Sequence, residues 1–220
     1  MARELTEEEI RVLGCLAEKQ ATTPDNYPLS SNALVAACNQ STNRDPIAAY
    51  TERQIDQVML AMREAGLART VRGDGQRVHK HKHVLNDAWR VSAAELALLS
   101  VMMLRGPQTV NELRTRTERY GTDLDADTSA IERHLHGLAH RDEPLVRLLE
   151  RRSGEREVRW MHLVGGEELV ARLSASVGPS TEPRRAPSSA PPEVDSLREQ
   201  LAELTRRFEA LLDRLGETIE

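Results

Sequence analysis

This sequence predicts a mainly α chain with small β-hairpins, an α+β fold, and three observations carry that expectation. A capped apolar helix opens at Thr6-x-x-Glu9, and another opens 86 positions later at Ser92-x-x-Glu95. Each opening is followed by two more helix patterns and then by paired strand patterns rich in Arg and Lys. Turn residues separate these segments in the same order both times. Three helices and a basic hairpin, stated twice, outline two tandem winged-helix domains, placed at residues 1–88 and 89–173.

In the first copy Leu5 precedes the Thr6 cap, and Ile10, Leu13, Leu16 and Ala17 form one apolar stripe. Thr23-Pro24-Asp25 and Tyr27-Pro28 break that helix. Ser30 or Ser31 can cap a second helix carrying Leu34, Val35 and Cys38. The run Asn39-Gln40-Ser41-Thr42-Asn43-Arg44-Asp45-Pro46 reads as an insertion without a counterpart in the second copy. Thr51 starts a third helix with Ile55, Val58, Met59 and Met62 inward and Gly66 as its stop. Strands are expected at 67–71 and 77–84, about the turn Gly73-Asp74-Gly75.

The second copy places helices at 91–104, 110–120 and 128–139, and strands at 145–149 and 158–164 that turn at Ser153-Gly154. Leu13 falls in step with Leu99, and Thr23 with Thr109. Asn32-x-Leu34 matches Asn111-x-Leu113, while Ile55, Met59 and Met62 match Ile131, Leu135 and Leu138. Residues 174–192 form a Pro/Ser/Ala linker too poor in apolar side chains to fold. Val194, Leu197, Leu201, Leu204, Phe208, Leu211 and Leu215 then alternate spacings of 3 and 4, which predicts a coiled-coil-like helix over 193–216 and a homodimer through it. Its flanking Arg198, Arg207 and Arg214 give self-pairing no charge complementarity, so packing on the folded body or on an acidic partner helix competes.

Several of these motifs are long enough to carry a resemblance. Thr23-Pro24-Asp25-Asn26-Tyr27-Pro28-Leu29-Ser30, Asn32-Ala33-Leu34, Cys38-Asn39-Gln40 and Asn43-Arg44-Asp45-Pro46 resemble the signature of the YceH-like family of uncharacterised bacterial proteins. Glu95-Leu96-Ala97, Leu104-Arg105-Gly106-Pro107-Gln108-Thr109 and Glu112-Leu113-Arg114 continue the match. The resemblance covers residues 5–166 and implies a tandem winged-helix fold without implying an activity. The linker and heptad tail lie outside it.

Composition narrows the function. No run approaches the roughly 20 apolar residues of a membrane span, and the opening MARELTEEEI lacks the order of a signal peptide. Cys15 and Cys38 sit at apolar helical positions and read as buried free thiols in a reducing compartment, hence the cytoplasm. Residues 1–90 carry 12 basic and 12 acidic side chains, residues 91–165 carry 11 and 12, and residues 166–220 carry 7 and 11. Neither copy is basic overall, which argues against a tight sequence-blind grip on phosphates. Phosphate loops, nucleophile elbows, zinc-protease helices and dinucleotide fingerprints are missing, so catalysis and cofactors are not expected.

Positive charge is nevertheless local. Duplex DNA would meet the hairpins and the outward face of each third helix. The candidate contacts are Arg53, Gln54, Gln57, Arg63, Arg72, Arg77, Lys80 and Lys82 in the first copy, and Arg133, Arg151, Arg152 and Arg156 in the second. Glu52 and Asp56 on the same helix face would repel phosphates, so a scaffold binding another protein is the alternative, with Asn43, Arg44 and Asp45 as its candidate contacts. Aromatic content of 3% disfavours single-strand platforms, and Trp160 reads as core. The alternation His79-Lys80-His81-Lys82-His83 could turn three imidazoles to one face, but His83 recurs as His162, which favours a structural role over a metal. Asp123-x-Asp125-x-Asp127 lacks the Gly and Glu of a calcium loop and reads as an acidic cap on the third helix.

Overall fold

A computed structural model of the chain describes residues 3–72, 79–122, 124, 128–151 and 155–176. The first half contains α1 (Glu7–Thr22), a single 3-10 turn (Pro24–Asn26), β1 (Leu29–Ser30), α2 (Ser31–Cys38), α3 (Glu52–Glu64), β2 (Ala68–Val71) and β3 (Lys80–His83). A short α4 (Leu85–Trp89) leads into α5 (Ala93–Arg105), α6 (Val110–Thr117), a 3-10 turn (Glu118–Tyr120), α7 (Thr128–Ala139), β4 (Val146–Leu148), β5 (Trp160–His162) and α8 (Gly166–Ser176). The turns of both hairpins, the acidic segment at 123–127 apart from Leu124, and the heptad run lie outside the described residues, as does the linker beyond residue 176. Helix α8 takes the first three residues expected of that linker.

Local chemistry explains where the helices begin. Thr6 Oγ1 accepts from the Glu9 N–H at 3.3 Å, and the Thr6 N–H donates back to the Glu9 carboxylate at 2.9 Å. Ser92 and Glu95 repeat this at 3.2 and 2.8 Å. Thr51 with Gln54 and Thr109 with Glu112 form the same reciprocal cap, and each satisfies two otherwise orphaned donors. Ser30, not Ser31, caps α2, accepting from the Ala33 N–H at 3.2 Å. Ser31 instead bonds Asp56 on α3 at 2.7 Å and His81 on β3 at 3.0 Å.

Both halves close with an antiparallel sheet. The order in the first is β1-β3-β2, with Leu29 opposite His81 and Ala68 opposite His83. In the second, Val146 pairs His162 and Leu148 pairs Trp160, while Gln108 bridges Trp160 through bonds of 2.9 and 2.7 Å. Leu29 and Gln108 therefore play the same part, each immediately before the cap of the second helix. This corrects one expected correspondence: Thr109 caps α6 as Ser30 caps α2, whereas Thr23 ends α1. The offset between halves falls from 86 at Thr6/Ser92 to 79 at Ser30/Thr109, because α1 is three residues longer than α5 and the segment with the 3-10 turn adds four more.

The core is one cluster shared by both halves. Helix α1 is buried without a break from Glu9 to Cys15 and on to Glu18, not along a single stripe, because α5 covers the side that α2 and α3 leave open. Helix α5 is likewise buried from Leu96 to Leu104, as its nearly all-apolar sequence allows. The two helices cross where Gly14 lets them approach: a Cβ there would lie 3.0 Å from the Leu104 side chain. Ser100 Oγ donates to the Gly14 carbonyl at 3.1 Å, and Ser100 is the residue that the 86-position offset assigns to Gly14. The boundary expected at 88/89 falls within α4, inside one compact unit.

The segment 39–50 is a strap across the seam where the two halves meet. Asn39 closes it by bonding both the Tyr50 carbonyl (2.8 Å) and the Tyr50 N–H (2.7 Å). Asp45 N–H donates to the Leu104 carbonyl at 2.9 Å, capping an orphan acceptor near the end of α5. Nor does the segment lack a counterpart: α2 and α3 are separated by residues 39–51, and α6 and α7 by residues 118–127. Thirteen residues stand against ten.

Candidate nucleic-acid interface

Helix α3 buries Ile55, Met59 and Met62, and that places Arg53, Gln57 and Arg63 on the exposed side. Gln54 is also exposed, but its Oε1 accepts from the Thr51 N–H (2.9 Å) and hydroxyl (2.8 Å), so it serves the helix cap. Leu60 stands 52% exposed among these polar residues. On β3 the period of two turns His81 and His83 inward and leaves Lys80 and Lys82 on the more open face. Arg72 is exposed beyond the end of β2, and Arg77 lies outside the described residues.

In the second half Arg133 is exposed on α7, and Arg151 and Arg156 are exposed on the hairpin; Arg152 lies outside the described residues. Other hairpin cations are already matched. Arg147 forms a two-pronged pair with Glu167 of α8 at 2.6 and 2.5 Å. Arg159 donates to Glu112 at 2.5 Å and to the Pro107 carbonyl at 3.1 Å. Arg141 is tied to the carbonyls of Trp89 and Arg90. His136 meets the Trp160 ring edge-on at 5.2 Å, and Trp160 is buried as expected.

The histidine tract is not gathered around a common centre. His79 is exposed, while His81 is held by Ser31 and by Thr70 at 3.2 Å. His83 Nδ1 accepts from the Leu85 N–H at 3.2 Å, and the His83 N–H donates to the Tyr27 hydroxyl at 2.8 Å. Burial pushes both His83 and its equivalent His162 down to about 4. Both are therefore neutral core residues at the same place in the two sheets. Cys15 and Cys38 are buried free thiols; Cys15 donates to the Ala37 carbonyl at 3.4 Å.

The partner candidates need correction at one position. Arg44 is buried, with its side chain fully enclosed, so it cannot serve as a surface contact. Its guanidinium donates to Glu18 at 3.2 and 2.5 Å, to the Ala37 carbonyl at 3.0 Å and to Gln40 at 2.9 Å. Arg119 grips the same carboxylate from the second half's connection. Burial alone would raise the Glu18 carboxyl; the Arg44 hydrogen bond and the charges of Arg44, Arg119 and Lys19 hold it below its usual value instead. Asn43 is half-buried and accepts from Arg105 at 2.5 Å, and Asp45 is exposed. Sequence reasoning missed this cluster because Arg44, Glu18, Arg105 and Arg119 are far apart in the chain, and Glu18 beside Lys19 reads as an ordinary charge at a helix end.

These features define an α+β protein of two repeated halves fused through a central helix pair. The family model described as a protein of unknown function, DUF480, matches residues 5–155, and the chain belongs to that family. A UPF0502 protein of Leptothrix cholodnii is 42% identical over 228 aligned positions, covering 100% of this chain and 99% of the relative. The UPF0502 protein YceH of Salmonella paratyphi B is 41% identical over 224, covering 99% and 100%. Both matches extend past the residues that the family model covers, over the linker and heptad tail. Among the described residues no helix is long and apolar enough to cross a membrane.

Proposed function

We propose that this protein is a non-enzymatic DNA-binding module, a pair of fused winged helices that acts in the cytoplasm on duplex DNA, as a transcriptional regulator would. One observation supports this above the rest. In the first half the helix after the second turn presents Arg53, Gln57 and Arg63, and the neighbouring hairpin presents Lys80 and Lys82 on the side opposite its buried histidines. Arg and Gln are side chains that read base edges, and Lys on an extended hairpin suits phosphates. The heptad run 193–216 would pair two such modules.

The expected behaviour is salt-dependent binding to a mixed-sequence duplex at low salt. Changing Lys80 and Lys82 together to Ala should weaken it and reduce the slope of log affinity against log salt by about 2. Absence of any binding at low salt ends the proposal. The exposure of Leu60 in the middle of the same α3 face favours a second reading, a protein-binding scaffold. A stoichiometric protein partner that survives nuclease and is lost in Leu60→Asp would decide for the scaffold.

A further inference from the structure

The strap and the seam line a half-open cleft of about 290 Å3, large enough for a small oxyanion. Glu18, Asn43, Arg105, Arg116, Arg119 and Tyr120 line it. The first two come from the first half and the rest from the second. We propose that this cavity binds a small oxyanion, the phosphoryl or carboxylate group of a metabolite, and that its ligand bridges the two halves. The inference is independent of the reading of the hairpins.

Charge is the principal argument. Three guanidinium groups line the cavity and Arg44 pairs with its lining carboxylate, Glu18, so four cations gather about that one carboxylate. Glu18 is already shared between Arg44 and Arg119. Glu112 approaches Arg116 at 3.7 Å, but it also receives Arg159 at 2.5 Å and the Thr109 N–H at 2.8 Å. Arg105 bonds a neutral acceptor, the Asn43 side chain. A half-buried guanidinium facing like charges is disfavoured: burial first, then Arg116, Arg119 and Arg44, hold Arg105 below its usual range. An anion entering between these groups relieves that repulsion in a poorly solvated place, where charge-assisted hydrogen bonds are strongest.

Geometry agrees with charge. The Arg119 guanidinium lies 5.8 Å over the Tyr120 ring, and the Tyr120 hydroxyl is anchored to Ser100 at 3.2 Å, so one wall is set before any ligand arrives. Planar guanidinium forks on separate elements match the two- or three-oxygen face of a carboxylate or phosphate.

The test is thermal unfolding of the full chain with inorganic phosphate or with citrate, at ionic strength held constant with sodium chloride. The expected result is a saturable rise in Tm with at least one of them, confirmed by calorimetric titration. Phosphate alone identifies a phosphoryl ligand, citrate alone a carboxylate ligand, and both a general oxyanion site. Arg105→Gln and Arg116→Gln should each weaken the affinity roughly tenfold or more. The Arg116 side chain is partly exposed, so its variant keeps the test valid if Arg105→Gln does not fold. Two results overturn the proposal. One is no rise beyond the chloride control. The other is an equal rise in every folded variant, which would be the general salting effect of phosphate and citrate on any protein.

Discussion

At the scale of single residues, the pair His83 and His162 makes the fold acid-sensitive. In the unfolded chain an imidazole takes up its proton near pH 6.5; in the fold these two do so only at about 4. Between those values the unfolded chain binds more protons, so stability falls as pH drops through 6.5 and levels off near 4. Above pH 7 neither state is charged and the effect vanishes. Each histidine contributes a loss of roughly 3 kcal/mol across that window. Tm measured from pH 7.5 to 4.5 should fall steeply below 6.5, and the double variant His83→Gln/His162→Gln should flatten the curve. An equally steep fall in the double variant would assign the sensitivity elsewhere.

At the scale of elements, the α1–α5 crossing is the most constrained contact. Gly14→Val places methyl groups against Leu104 and Met103, where even a Cβ would lie 3.0–3.2 Å from their side chains. The expected destabilisation is about 1–3 kcal/mol, read as a lower urea midpoint with an unchanged slope. Much of this scale was legible in the sequence. The caps at Thr6, Thr51 and Ser92 and the inward sets Ile55/Met59/Met62 and Ile131/Leu135/Leu138 depend on local spacing, and the helices follow them. What was not legible depends on contacts between distant segments. The second buried face of α1 exists only because α5 covers it. Arg44 looked like a surface residue in a polar loop, and Glu18, 26 positions away, is the charge that holds it inward together with the Ala37 carbonyl and Gln40. For the proposed interface, the inward turn of His81 and His83 followed from alternation. The matching of Arg147 by Glu167 did not, because no helix was expected between the last strand and the linker.

For the whole molecule, a shared core predicts a shared fate. A chain ending at Leu173 should unfold in one cooperative transition, with equal calorimetric and van't Hoff enthalpies. Two resolved transitions would mean that the halves are independent after all. The same truncated chain, weighed in solution against the full one, tests the heptad helix: if 193–216 pairs chains, its removal halves the mass per particle beyond the lost residues. An unchanged particle number per chain would sink that pairing.

The meeting of Gly14 with Ser100 carries one more consequence. Equivalent surfaces that face each other across a crossing are ordinarily the mark of two identical subunits, whose union is subject to mass action and dissolves on dilution. Here both surfaces lie on one covalent chain, so their local concentration is fixed by the linker α4 and cannot be diluted. The paired arrangement therefore persists at any copy number in a cell, whatever the heptad tail does.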